Sequence, residues 1–125
     1  MNINTRKRWA LAAAVASLLA VSALCAATFT GAYYDAGTSE IVVTMLYRGT
    51  NPDHQFTVQW GNCSPLGSGG NQFQISGDVQ DSQWDDAAQT TYTKTVRFPV
   101  ANLNCHPATV TLHTAPRFET SVQIP

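Results

Sequence analysis

Apolar and polar residues alternate with a period of two along most of the chain from residue 28 onward. In 54–60 the apolar positions Phe56, Val58 and Trp60 are separated by Gln55, Thr57 and Gln59. Successive side chains of a strand point to opposite faces, so the pattern predicts a strand with one face on a core and the other in water. Residues 72–80 repeat it, with Phe73, Ile75 and Val79 against Gln74, Ser76 and Asp78. Residues 108–113 do so too, with Ala108, Val110 and Leu112 against Thr109, Thr111 and His113. In 91–100, Tyr92, Val96 and Phe98 are expected inward and Thr93, Thr95 and Arg97 outward, with Lys94 breaking the alternation. The run Glu40–Arg48 is apolar at Ile41, Val43, Met45 and Tyr47 and also at Val42 and Leu46, which suits a central strand covered on both faces. A short strand at 28–34 and a last one marked by Phe118, Val122 and Ile124 bring the number to about seven.

Turn chemistry separates these runs. Gly49-Thr50-Asn51-Pro52-Asp53 follows the second strand, 64–71 is rich in Gly and Ser, and Ala115-Pro116 divides the last two strands. Only 81–89 has room for a helical turn. Short strands at this spacing predict one all-β domain over 28–125, an immunoglobulin-like β-sandwich of about seven strands. In that topology the third and sixth strands are antiparallel neighbours, which brings Cys63, just past the third, and Cys105, just before the sixth, to the same end. A disulfide between them is expected. Antibody domains instead bridge mid-strand cysteines packed on a tryptophan, so the expectation is of an architecture and not of a family.

The pattern changes before residue 28. Arg6, Lys7 and Arg8 precede an Ala/Leu/Val run from Trp9 to Leu24, and small residues follow at Ala26 and Ala27. This is the order of a secretory signal peptide, placed at 1–27. The apolar run is 16 residues long, short of the roughly 20 that span a bilayer, so no stable membrane span is expected after cleavage. Cys25 raises the alternative of a bacterial lipoprotein signal, which Leu24 disfavours because a small residue is needed just before the cysteine. Removal of the leader takes Cys25 away and leaves Cys63 and Cys105 as an even pair, as an oxidising compartment favours. It also leaves four basic residues against eight acidic ones. Nucleic acid is thereby disfavoured as a partner, since it demands a basic footprint. The expected location is the periplasm or the outside of a bacterial cell.

Candidate chemistry is sparse. His54, His106 and His113 lack paired zinc-type spacing and are expected to be solvated or locally hydrogen-bonded. Asp78, Asp81, Asp85 and Asp86 surround Trp84 without the ligand spacing or turn glycine of a calcium loop; they read as a solvated acidic connection with Trp84 folded onto the core. No Gly-x-Ser-x-Gly elbow, cofactor fingerprint or assignable acid–base pair is present, so no catalytic, cofactor-binding or metal residue is assigned. If the third, sixth and seventh strands share a sheet, its outer face carries Gln55, Thr57, Gln59, Thr109, Thr111 and His113, with Ser121 and Gln123 beyond. Such a face, rich in donors and acceptors and nearly free of charge, suits a protein or glycan partner. The expected role is a non-enzymatic binding module. A structural subunit of a surface assembly, joined through an exposed edge such as the last strand, is the alternative, and a small secreted hydrolase is a third reading. Intact mass of the exported protein should correspond to a start at Thr28 with two hydrogens missing; a retained leader or two free thiols would refute this account of the compartment.

Overall fold

The computed structural model describes residues 27–86, 88–114 and 118–125. The expected leader, apart from Ala27, and the expected Ala115-Pro116 turn lie outside the described residues. Among those described, the chain forms eight strands and no helix: β1 (Thr28–Asp35), β2 (Glu40–Arg48), β3 (Phe56–Trp60), β4 (Ser64–Pro65), β5 (Phe73–Asp81), β6 (Thr91–Pro99), β7 (Ala108–Thr114) and β8 (Phe118–Ile124). One sheet is ordered β1-β2-β6 and the other β3-β5-β7-β8, with β4 also pairing with β5. In the segment with room for a helical turn, residues 82–85 form a tight turn after β5.

Alternation builds both inner faces. Ile41, Val43, Met45, Tyr47 and Phe98 from one sheet meet Phe56, Ile75, Val79, Val110, Leu112, Val122 and Ile124 from the other, all buried. Full burial of side chains of this size contributes about 1.5–3 kcal/mol each. β2 is the central strand its sequence predicts: it pairs with β1 and with β6 on its two edges, and even Val42, on the outer face, is buried. The outer sheet faces keep the residues between, such as Thr93, Thr95, Gln59 and Gln80.

The expected adjacency of the third and sixth strands is corrected. β5 lies between them, antiparallel to β3 and parallel to β7, with Val58 opposite Val79 and Ile75 opposite Val110. Alternation specifies which face a residue takes, not which strand lies beside it. Gly77 suits β5 to this place, because a β-carbon there would lie 2.8 Å from the indole of its cross-strand neighbour Trp60. The expected 64–71 loop is also shorter, since Ser64 and Pro65 pair with Gln74 and Phe73.

β3 and β7 still run in opposite directions, so the end of one and the start of the other share an end of the molecule. Cys63 and Cys105 are bonded there, with Cα atoms 5.7 Å apart, and the Cys105 sulfur lies 3.8 Å from the Gln74 carbonyl oxygen of the intervening β5. Among the described residues the chain changes sheet three times: β2 to β3 and β5 to β6 at one end, β6 to β7 at the other. The disulfide anchors the third of these crossovers. Closing a loop of this length removes unfolded-state entropy equivalent to roughly 4 kcal/mol in the chain-entropy model. Reduction should therefore lower the thermal midpoint by many degrees in circular dichroism; an unchanged midpoint would show the bridge to be incidental.

Candidate functional site

The two crossovers at the opposite end from the disulfide meet on His54. This residue stands two positions before β3 and is 0% exposed. Its Nδ1 lies 2.9 and 2.7 Å from the two carboxylate oxygens of Asp81, at the end of β5. Its Nε2 lies 3.3 Å from Asp86 Oδ2. The Tyr47 ring packs on the imidazole with centroids 4.8 Å apart and meets Phe56 edge-on at 5.1 Å.

Local chemistry explains how both segments reach this point. Asn51 Oδ1 accepts from the Asp53 amide, an Asx turn of the kind Asn favours, and the Tyr47 hydroxyl donates to the Pro52 carbonyl at 2.7 Å. On the other segment the Gln83 amide donates to Asp81 Oδ1. The two are then stitched together. Asp86 Oδ2 accepts from the Thr50 amide at 2.7 Å and the Thr50 hydroxyl at 3.0 Å. Asn51 and Gln83 exchange amide bonds. Gln55 N donates to Ser82 Oγ, while Ser82 N donates to the Gln55 carbonyl. Gly49 completes the fit, since a β-carbon there would collide with His54 Nε2 and lie 2.7 Å from Asp86 Oδ2.

Lys94, which breaks the alternation of β6, has its place here. It points inward, and its ammonium donates to the His54 carbonyl at 2.7 Å, tying the first sheet to the start of the second. Thr50 is the main reason that the Asp86 carboxyl is held below the ordinary carboxylate range. Burial pushes the Tyr47 phenol up, aided by the negative charges of Asp81 and Asp53.

Two expectations are thereby corrected. His54 is neither solvated nor bonded only within its own segment; it is enclosed by two carboxylates 27 and 32 residues away. Asp81 and Asp86 are not a solvated connection, because the buried ring draws them in, and Trp84 is 74% exposed instead of lying on the core. The other two histidines are at the surface: His106 Nδ1 is 2.9 Å from the Pro125 carbonyl, and His113 Nδ1 is 3.5 Å from a Glu119 oxygen. With no solvent exposure and a carboxylate at each nitrogen, the His54 ring offers no free atom to a substrate. Among the described residues, no group of three or more His, Cys, Asp or Glu is arranged to hold a metal ion.

The outer face of the second sheet is the other candidate. Thr57 and Gln59 on β3, and Thr109, Thr111 and His113 on β7, do share this face, but they are not neighbours. Gln74, Ser76, Asp78 and Gln80 of β5 form a row between them, opposite Thr109, Thr111, His113 and Thr57 respectively. Gln55 precedes β3 and belongs to the stitched crossovers. β8 adds Ser121, 3.2 Å from the Thr111 hydroxyl, and Gln123, whose amide donates to Thr109 Oγ1 at 2.7 Å. The outward positions of β5 follow from its alternation; its place in the middle of the sheet does not. No family model matches the chain, and neither does any curated protein or solved structure.

The titration of the acids has a definite sign. Asp86, and Asp35 beside the Arg97 guanidinium, bind a proton less readily in the folded chain than when unfolded. Their contribution is therefore full above the unfolded carboxylate value of about 3.9 and lost as pH falls below it. The thermal midpoint should drop on acidification from about pH 6 to about pH 3, and Asp86→Asn should flatten that slope. An unchanged slope in Asp86→Asn would remove Asp86 from the acid response.

Proposed function

We propose that this chain is an exported, non-enzymatic binding domain that engages a protein or glycan partner through the outer face of the β3-β5-β7-β8 sheet. The observation that carries this reading is the face itself. Four adjacent strands present hydroxyl and amide groups in register, with Asp78, His113 and Glu119 as the titratable groups in the array. Some of these groups bond to one another, as Gln80 does with Gln59 at 3.4 Å, which orders them before any partner arrives. Ordering in advance lowers the entropic cost of association.

On this reading the architecture is immunoglobulin-like, with β1, β2 and β6 in the places of strands A, B and E, and β3, β7 and β8 in those of C, F and G. β5 is then a strand added between C and F. The Cys63–Cys105 bridge supports export to the periplasm or beyond, because disulfides persist where the surroundings are oxidising. Among the described residues no helix is long and apolar enough to cross a membrane. The alternative, a subunit of a surface assembly joined by strand addition, draws on the outer edge of β6, nine residues whose sheet partner is β2 alone. Inward-pointing charges and prolines are devices that discourage such pairing, and β6 carries Lys94 and Pro99.

The test is affinity capture from envelope and culture fluid, comparing the native domain with Gln59→Arg/Ser76→Arg. A partner bound through this face should lose about a hundredfold or more in affinity, since each arginine puts a long, charged side chain into the middle of the contact. Equal retention of that partner by a folded variant, or capture of no specific partner at all, would overturn the proposal.

A further inference from the structure

We infer that the His54 cluster is a proton-held latch: the ring joins Asp81 and Asp86, and through them the two crossovers, only while both ring nitrogens carry hydrogen. A carboxylate accepts hydrogen bonds and, when ionised, has none to give. Each nitrogen of His54 faces one. The acids are already committed as acceptors, because Asp86 Oδ2 receives the Thr50 amide and hydroxyl, and Asp81 Oδ1 receives the Gln83 amide. The arrangement therefore requires two N–H groups on the ring. Loss of either leaves a nitrogen lone pair of a fully buried ring against an anionic oxygen, and attraction becomes repulsion.

The surrounding charges are few. Asp81 comes from β5, Asp86 from the segment after it, and Asp53 precedes the ring. Tyr47 of β2 lies on the ring with Tyr92 of β6 beyond it, and the Lys94 ammonium of β6 meets the His54 carbonyl. What opens is the stitched end of the molecule: Thr50 is fastened to Asp86, and the Gly49 amide donates to the Thr90 carbonyl. The exposed Trp84 rides on the same latched segment. The latch holds while the two acids are ionised and the ring carries both hydrogens, and it is released when rising pH removes either hydrogen, opposite in sign to the acid loss described for Asp86 and Asp35. It belongs to the fold and does not depend on the proposed sheet-face partner.

The test combines nitrogen-15 NMR of the histidine rings with amide exchange in the protein, from about pH 5 to about pH 9, the range in which histidine charge changes occur. His106 and His113 serve as surface references. Both His54 nitrogens should show attached hydrogen at the acidic end. As one is lost, exchange at Gly49 and Thr50 should accelerate by about tenfold relative to the Val100 amide, which is bonded to Ser39 at the other end. A ring with a single N–H throughout, or Gly49 and Thr50 amides that track Val100 across the titration, would overturn the inference. Asp81→Asn adds an independent arm. Its side-chain NH₂ donates to a neutral Nδ1 while its oxygen still receives the Gln83 amide, so the pH-dependent step should vanish; a step of native size would also overturn the inference. If that variant does not fold, the native measurement decides alone.

Discussion

A two-sheet domain is only as well defined as the places where its chain passes from one sheet to the other, and here each crossover is fastened by directional chemistry. Apolar contact between inner faces is strong but tolerates sliding, whereas hydrogen bonds and a covalent bridge do not. The imidazole of His54 receives both crossovers at one end, holding Asp81 and Asp86 on its two nitrogens. The Cys63–Cys105 bond holds the third at the opposite end. Between these two anchors the sheets are held face to face by the residues that alternation sends inward.

The cost of burying His54 between two partly buried carboxylates at the first anchor is met by saturation. No buried side-chain nitrogen or oxygen among the described residues lacks a partner, and Asp81 and Asp86 each also accept from backbone amides. Lys94 belongs to the same economy. On a strand at the edge of a sheet, an inward ammonium limits pairing with other chains; here it also spans the sandwich and satisfies the His54 carbonyl. One side chain thus protects an edge and joins the two sheets.

Rigid crossovers leave the sheet surfaces free for other work. The second sheet has a broad outer face whose side chains are polar but scarcely charged, and its four strands keep those groups in register across the array. The polarity of this face is not required for folding, since any solvated residue with adequate strand propensity would serve there. That separation between what holds the domain and what it displays is the physical basis for proposing the face, and not the buried cluster, as a binding surface.

Period-two alternation alone assigns the inner and outer residues of β3, β5 and β7, because a strand's geometry is local and its period is two. The pairing of Cys63 with Cys105 was likewise open to inference, from an odd cysteine count and two positions expected at one end. Strand neighbours were not, since alternation carries no information about the next strand; β5 therefore enters between β3 and β7, and with it the middle row of the polar face. His54 was beyond reach for a related reason. Its partners are 27 and 32 residues away, their spacing matches no motif, and only the meeting of two crossovers turns one histidine and two aspartates into a single buried unit. The irregularity at Lys94 was visible along the chain. Its meaning was decided by the carbonyl that tertiary structure set opposite it.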